Sequence, residues 1–541
     1  MKKIITSLAA LLCAITMNAK DYTGQLTIKC PTASVYAYQN ATISLNEQEN
    51  GLYTFTLKNF TLGTGTDAMK IGNVVLENVL GSSEGVITLN TNQNIEIQKG
   101  DEGDDWNNET INAMGVDGKI PVVLTAHVDT LFNNMAANIV INIPDMNVAV
   151  TFETTKSQIN NSDFENFHKE TYAEGKSEQS GYEPDYWHSF LTADGEKATY
   201  AQMAGVHTFI AEGVTRPGST GSNSLLLKSS ALLKIVANGT VTTGRICAGS
   251  LIATDTANHS YTDTSSTGVD AQGNPFYSTI GVAPDSIKVW VKYKQGTVNK
   301  DYPYATVSAI LTDGTYYQDP EDKPYTNVLA KATNAKIESN GFAWQEITIP
   351  FDYSYGASYT GDKTAFTNAA IHVTISTNAG AGKGSGTDSL YVDDLSLVYN
   401  AGLKSVKFKG NDVNISETLK QGSVYTNDSY SLKDFEVEPD GKNATTFKDV
   451  VTVLDPDWGE ETQEAHIYVV SADLQTVNKY TIYINGSGTY TGVKKVETAT
   501  ANPSGIKAIY NLNGQRVSSM NGKGVFIVEK NDGTTTKVLN K

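Results

Sequence analysis

The stretch Ile287-Lys288-Val289-Trp290-Val291-Lys292-Tyr293 alternates without a break. Ile287, Val289, Val291 and Tyr293 fall on one face of an extended chain, and Lys288, Trp290 and Lys292 on the other. A period of two marks a strand with one buried face, because a helix would repeat its apolar residues every three or four positions. The same period recurs along the chain. Tyr53, Phe55 and Leu57 stand against Thr54, Thr56 and Lys58, and Val122, Leu124, Ala126 and Val128 against Val123, Thr125, His127 and Asp129. Ile371, Val373 and Ile375 oppose His372 and Thr374, and Ala465, Ile467 and Val469 oppose His466 and Tyr468. Asn, Gly and Asp turns punctuate these runs, and helical periodicity is almost absent. The predicted fold class is all-β, built from antiparallel barrels and sandwiches. His127, His372 and His466 lie on polar strand faces and are expected to be solvated.

The chain has 541 residues, enough for three or four domains. Its charged fraction of 18%, with 14 Pro and 3 Cys, excludes coiled coils, collagen and disulfide scaffolds. The net charge of −18 repels phosphate backbones and argues against nucleic acid as a partner. Lys2 and Lys3 precede an apolar run from Ile4 to Met17, closed by Asn18-Ala19, the pattern of an export signal over residues 1–19 with a mature chain starting at Lys20. Leu12 stands before Cys13 where a lipoprotein needs a small residue, so soluble export is expected. The run is too short to span a bilayer, and no later segment reaches 18 apolar residues, so no transmembrane segment is expected in the mature chain. Cys30 and Cys247 are too few and too far apart for a disulfide framework and read as buried small hydrophobes.

Breaks in the alternation set the boundaries. The polar stretch Thr154–Ser162, the hinge Asn400-Ala401-Gly402 and the linker Thr498–Ser504 divide the chain into blocks at 21–152, 160–400, 401–486 and 505–541. Asp21–Leu26, Tyr53–Leu62, Ile71–Val79 and Ile139–Ile143 resemble the calycin-like, lipocalin-like barrel of exported proteins from glycan-degrading Gram-negative bacteria. Gly24 is followed by Gln25-Leu26, without the glycine-x-tryptophan signature of lipocalins. The second block, through Asp163–Phe167, Tyr182–Phe190, Ser224–Leu227, Ile287–Tyr293, Trp344–Tyr353 and Tyr391–Tyr399, resembles the jelly-roll family named putative carbohydrate metabolism domain (PCMD). The third block resembles a small immunoglobulin-like module. The tail, with Ile509–Val517 and Gly524–Val528, is similar to the C-terminal sorting domains of type IX secretion. Together these resemblances imply a cell-surface or secreted protein, the outer-membrane secretion machinery as a partner, and a glycan or oligosaccharide as ligand.

Catalytic signatures are missing. The seven histidines are scattered, with no H-E-x-x-H and no C-x-x-C, so the spacing offers no zinc site. Gly380–Gly386 lacks the Ser/Thr after Lys383 that a phosphate loop needs, and no G-x-S-x-G occurs. Asp185, or the pair Glu321 and Asp322, could serve a glycosidase, but nothing separates them from ordinary surface acids. No catalytic residue is assigned. The jelly-roll resemblance implies a structural Ca²⁺ held by Glu165 at the start of the sandwich and by Asp393 and Asp394 in its last strand; no other cofactor is expected. Sugar recognition needs flat aromatics flanked by polar groups. Tyr182, Tyr186, Trp187 and His188 are concentrated in one loop-like segment, and Trp290 shares a polar strand face with Lys288 and Lys292. Trp344 stands likewise beside Glu346 and Thr348. The competing reading makes these tryptophans lids over a second sandwich layer. The leading expectation is an exported, non-catalytic carbohydrate-binding protein. The alternatives are a glycan hydrolase or lyase using jelly-roll carboxylates, and a structural or adhesive surface protein.

Overall fold

The computed structural model describes residues 19–541 except 49–50, 84, 173–178, 204, 233–234, 356–358, 360, 362, 455–460, 486–505, 512–515, 518–519, 521–523, 531–534 and 541. Residues 1–18 of the expected signal at 1–19 and the linker Thr498–Ser504 therefore lie outside the described residues. The fold is all-β, as the alternation predicts. Two compact units are present. One runs to Gly402 and takes in Asp440–Thr445 and Val470–Val477; the other comprises Leu403–Pro439, Thr446–Val469 and Asn478–Lys541. No helix among the described residues is long and apolar enough to cross a membrane.

The first unit opens with a closed barrel of eight strands in sequence order: β1 (Ala19–Cys30), β2 (Val35–Glu47), β3 (Leu52–Leu62), β4 (Met69–Ser83), β5 (Ile87–Ile95), β6 (Ile120–Asp129), β7 (Asn134–Ile143) and β8 (Met146–Glu153). Closure comes from β1 pairing with β8, with Ile28 opposite Val150. Alternation sends Tyr22, Leu26, Ile28, Phe55, Leu57 and Val150 into one buried cluster. Eight strands leave an interior just wide enough for such side chains to fill. Gly24 sits on the closing seam: a Cβ there would lie 2.1 Å from the Glu153 carbonyl oxygen, so any larger residue would push β1 and β8 apart.

Beyond the barrel stands a sandwich in the same unit. A five-stranded sheet runs in the order Thr208–Ile210, Leu225–Lys228, Ser389–Val398, Ser286–Lys294, Gln345–Pro350. A four-stranded sheet runs Thr240–Thr242, Ala370–Ser376, Ala305–Thr312, Val328–Ile337. Ile287, Val289, Val291 and Val392 from the first sheet share one core with Val241, Val307, Ile371 and Val373 from the second. Barrel and sandwich, read from sequence as separate blocks, are joined by specific bonds: Asn161 N–H donates to the Tyr38 hydroxyl at 2.6 Å, and the Asn166 amide to the Tyr36 carbonyl at 2.8 Å.

The second unit holds sheets of three and five strands, the latter with Gln421–Val424 parallel to Val477–Ile484, and a four-stranded antiparallel C-terminal sheet. Cys30 is buried and Cys247 half-buried, both free. The three histidines expected to be solvated are not. His127 is 7% exposed and its Nδ1 lies 2.7 Å from the Leu474 carbonyl. His372 is fully buried with Nε2 2.8 Å from Ser260 Oγ, and His466 lies between Asp449 and Glu464. At His127 and His372 other segments of the chain cover the polar strand face, which alternation alone does not reveal. Burial pushes His372 down to about 3, so it stays neutral.

Candidate functional site

The central strand Ser286–Lys294 buries Ile287, Val289, Val291 and Tyr293 completely, which turns Lys288, Trp290 and Lys292 outward. Register places Trp290 between Glu346 on one neighbouring strand and Asp393 on the other, and Lys292 opposite Tyr391. Trp344, just before the edge strand, stands edge-on to Tyr391 with ring centroids 6.3 Å apart, and Phe342 stands 5.9 Å from the same ring. Trp290, Phe342, Trp344 and Tyr391 are all half-buried. Cations line the face: Lys292 Nζ lies 4.6 Å from the Phe342 ring centroid and Arg216 5.7 Å from that of Trp290. Lys288 pairs with Glu346 at 3.5 Å. Four aromatic rings on one sheet face, flanked by cations and a carboxylate, offer flat surfaces for stacking and polar groups for hydroxyls.

This face borders a cleft of about 430 Å³ walled on the other side by Gln25, Thr27 and Lys29 of β1 and Thr151 of β8. A bulge opposite Val289 shifts the register between Lys288 and Trp290, and Asp394, at φ 41°, is thereby turned into the cleft. Lys29 forms an ion pair with Asp163 at 2.7 Å. Burial opposes its charge, but Asp163, then Asp394 and Glu165, outweigh burial and hold the ammonium above its ordinary range. Arg216 grips the sandwich end: its backbone N–H donates to Asp393 Oδ2 at 2.7 Å and its guanidinium to Asp394.

Glu165, Asp393 and Asp394 lie near enough for their charges to act on one another, and Asp394 lines the cleft. Their ligand oxygens do not all lie within 4.8 Å of one another. Glu165 accepts N–H bonds from Ser222 and Asn223 at 3.1 and 3.2 Å, and Arg216 occupies Asp393 Oδ2 and Asp394 Oδ2. N–H groups and the guanidinium thus hold Glu165 and one oxygen each of Asp393 and Asp394, while Asp393 Oδ1 is buried without a partner. Burial, reinforced by the Asp394 and Glu165 charges against the Arg216 N–H, pushes Asp393 up to about 7. Between 3.8 and about 7 the folded protein retains a proton that the unfolded chain has lost, so stability should fall as pH rises through that window. Asp393→Asn should flatten this decline and melt above the wild type once the pH exceeds 7, in thermal scans across the window. A calcium ion at these carboxylates would produce the reverse: a lower-melting variant, and a wild type raised by added Ca²⁺.

The loop expected to form a sugar platform does something else. Trp187 is fully buried, 5.1 Å from Phe164, with its indole N–H donating to the Asn160 carbonyl. It belongs to the sandwich core. His188 is also fully buried, tilted against Phe276 at 4.6 Å, with its backbone bonded both ways to Thr242. The cause is a turn in which Trp187 N–H reaches back to Pro184 O while Tyr186 adopts φ 68°, which directs the next side chain inward. Tyr186 packs edge-on against Tyr38 of the barrel at 5.6 Å, and Tyr182 alone of the four is well exposed, at 48%. Trp187 and His188 cannot meet a sugar, and Trp290, of the residues singled out for sugar contact, stands on the aromatic face. Sequence reading passed over Phe342, Tyr391 and Arg216. Spacing places Phe342 two residues before Trp344, and Tyr391 opens an alternating strand, but strand pairing is what unites them.

The first 137 positions of the barrel region also match a described family. Residues 19–155 match the model of the calycin-like β-barrel domain. The calycin-like barrel accounts for the first quarter of the chain, and no curated protein matches the sequence. Among solved structures, a putative glycoside hydrolase from Bacteroides vulgatus aligns over 45% of this chain and 98% of its own, with 18% identity and a TM-score of 0.30. A putative glycoside hydrolase from Bacteroides thetaiotaomicron aligns over 52% and 86%, with 15% identity and a TM-score of 0.32. A putative outer membrane protein from Bacteroides fragilis aligns over 66% and 96%, with 12% identity and a TM-score of 0.19. At such scores the function has to be read from the side chains themselves.

Proposed function

We propose that this is an exported, surface-associated carbohydrate-recognition protein that binds glycan on the aromatic face of its five-stranded sheet and in the cleft beside the calycin-like barrel. The observation that carries this reading is the grouping of Trp290, Phe342, Trp344 and Tyr391 on one half-exposed face. A jelly roll of the putative carbohydrate metabolism type and type IX export of the mature chain remain part of the same proposal. The site favours binding over hydrolysis. Glycoside hydrolysis sets a protonated acid against an ionised partner. Here Glu346 pairs with Lys288, Asp394 with Arg216 and Asp163 with Lys29, so each of these three carboxylates is held by a cation. The test is a glycan array probed with the full-length protein, followed by calorimetry and a reducing-end assay on each hit. Saturable binding without release of reducing ends is expected; release of new ends would make the cleft a hydrolase site.

Export has its own test. Mass spectrometry of protein recovered from the cell surface should find Lys20 at the N-terminus, and deletion of residues 505–541 should leave folded protein in the periplasm. Normal surface display of the truncated chain would remove the sorting role of the tail.

A further inference from the structure

Buried beneath the loop that hides Trp187 is a group of side chains that neither the barrel nor the aromatic face uses. His168 and Glu170, two apart on the strand Phe167–Tyr172, point the same way, with His168 Nε2 3.2 Å from Glu170 Oε1. Asp270 joins them from a distant loop, its Oδ2 3.6 Å from His168 Nε2. The ligand atoms of these three all lie within 4.8 Å of one another, and all three residues are buried. Further acids complete the shell. Asp185 Oδ1 lies 2.9 Å from His168 Nδ1, and Glu183, fully buried, has Oε2 3.7 Å from His188 Nδ1.

Two features point to a cation site. His188 is fully buried, and its Nδ1 has no hydrogen-bond partner although it lies 4.0 Å from Asp270 Oδ2. Its Nε2 faces the Pro275 carbonyl at 3.4 Å, which can only accept, and its Nδ1 faces the carboxylates of Glu183 and Asp270. The second feature is charge. Glu170, Glu183 and Asp270 are buried and Asp185 partly so, which places four carboxylates around two imidazoles; Ser189 and Thr192 donate to Glu183, and the charge of the others calls for a cation. The ligands are also braced as metal ligands are. Asp185 Oδ1 engages His168 Nδ1 and turns Nε2 toward Glu170 Oε1, Ala271 N–H supports Glu170 Oε1 at 2.7 Å, Gln272 and Asn274 N–H groups hold Asp270 Oδ1, and the Asn274 side-chain amide donates to Asp270 Oδ2 at 2.9 Å.

We propose that His168 Nε2, Glu170 Oε1 and Asp270 Oδ2, with the unpartnered His188 Nδ1 beside them, form a structural site for a divalent transition metal of the zinc class. Imidazole and carboxylate ligands suit such ions, and bonds of about 2.0–2.1 Å in a tetrahedron separate ligand atoms by roughly 3.3 Å. The separations of 3.2 and 3.6 Å from His168 Nε2 lie near this edge length, and His188 Nδ1 stands farther out, 4.0 Å from Asp270 Oδ2. The site ties the strand Phe167–Tyr172 to the loop around Asp270, and its location is independent of the aromatic face.

Full-length protein should be stripped with chelator, returned to Zn²⁺ or Co²⁺, and analysed by calorimetry, elemental analysis and visible spectroscopy. One Zn²⁺ per chain is expected, with Co²⁺ giving the absorption bands of a low-coordinate nitrogen–oxygen site. Asp270→Asn should weaken Zn²⁺ binding at least 100-fold, and His188→Gln at least 10-fold. Glu165→Gln, outside the group, should leave it unchanged. Absence of stoichiometric Zn²⁺ binding to the wild type would overturn the proposal and leave His168 as an imidazolium shared among the acids. That wild-type measurement decides even if one of the variants does not fold.

Discussion

Replacement of Trp290 by alanine should abolish measurable glycan binding while the melting curve of the protein stays where it was. Its ring is half-exposed on the outward face of the sheet, and the adjacent Val289 and Val291, which are fully buried, carry the packing of that strand. Removing a central aromatic from a recognition surface typically costs 2 kcal/mol or more, about a 30-fold loss of affinity. Trp344→Ala and Tyr391→Ala should each weaken binding less, because they border the face at the Lys292 end. Calorimetry with any glycan that the array identifies measures all three. Unchanged affinity in Trp290→Ala would place the ligand elsewhere and defeat the proposed site.

Trp187→Ala should do the opposite. The indole is fully buried between Phe164 and the sandwich core, and it satisfies the Asn160 carbonyl. Truncation leaves a large cavity and an unpaired carbonyl, at an expected cost of about 3–5 kcal/mol in stability. Denaturant titration of the first unit should register the loss, and protein that remains folded should bind glycan with wild-type affinity. A mild stability change accompanied by lost binding would return the loop Tyr182–His188 to the role its composition suggests. The two tryptophans thus separate packing from recognition with one substitution each.

Composition misled at the loop because it records residue types and not the direction in which they point. Tyr182, Tyr186, Trp187 and His188 look like a binding surface when counted, but one residue at positive φ reverses the chain and sends Trp187 inward. Alternation was a better guide at Trp290 because strand geometry fixes which side each residue takes. It identified Trp290 and Trp344 as facing away from the aliphatic core, and both do. It could not decide whether the two were neighbours, since pairing between Ser286–Lys294 and Gln345–Pro350 joins residues more than 50 positions apart.

The sequence alone determined what depends on local periodicity: an all-β chain, a barrel beginning near Asp21, and the inward and outward residues of the central sandwich strand. Tertiary structure decided everything that depends on distant segments meeting. Arg216 reaches Asp393 and Asp394 across more than 170 residues, which sets a cation beside carboxylates that the sequence showed only as acids. Asp270 joins His168 across about 100 residues, which gathers ligands that no spacing motif announced. Strand alternation is set by sterics within a few residues, whereas charge compensation and metal ligation depend on which loops the closed sheets bring together.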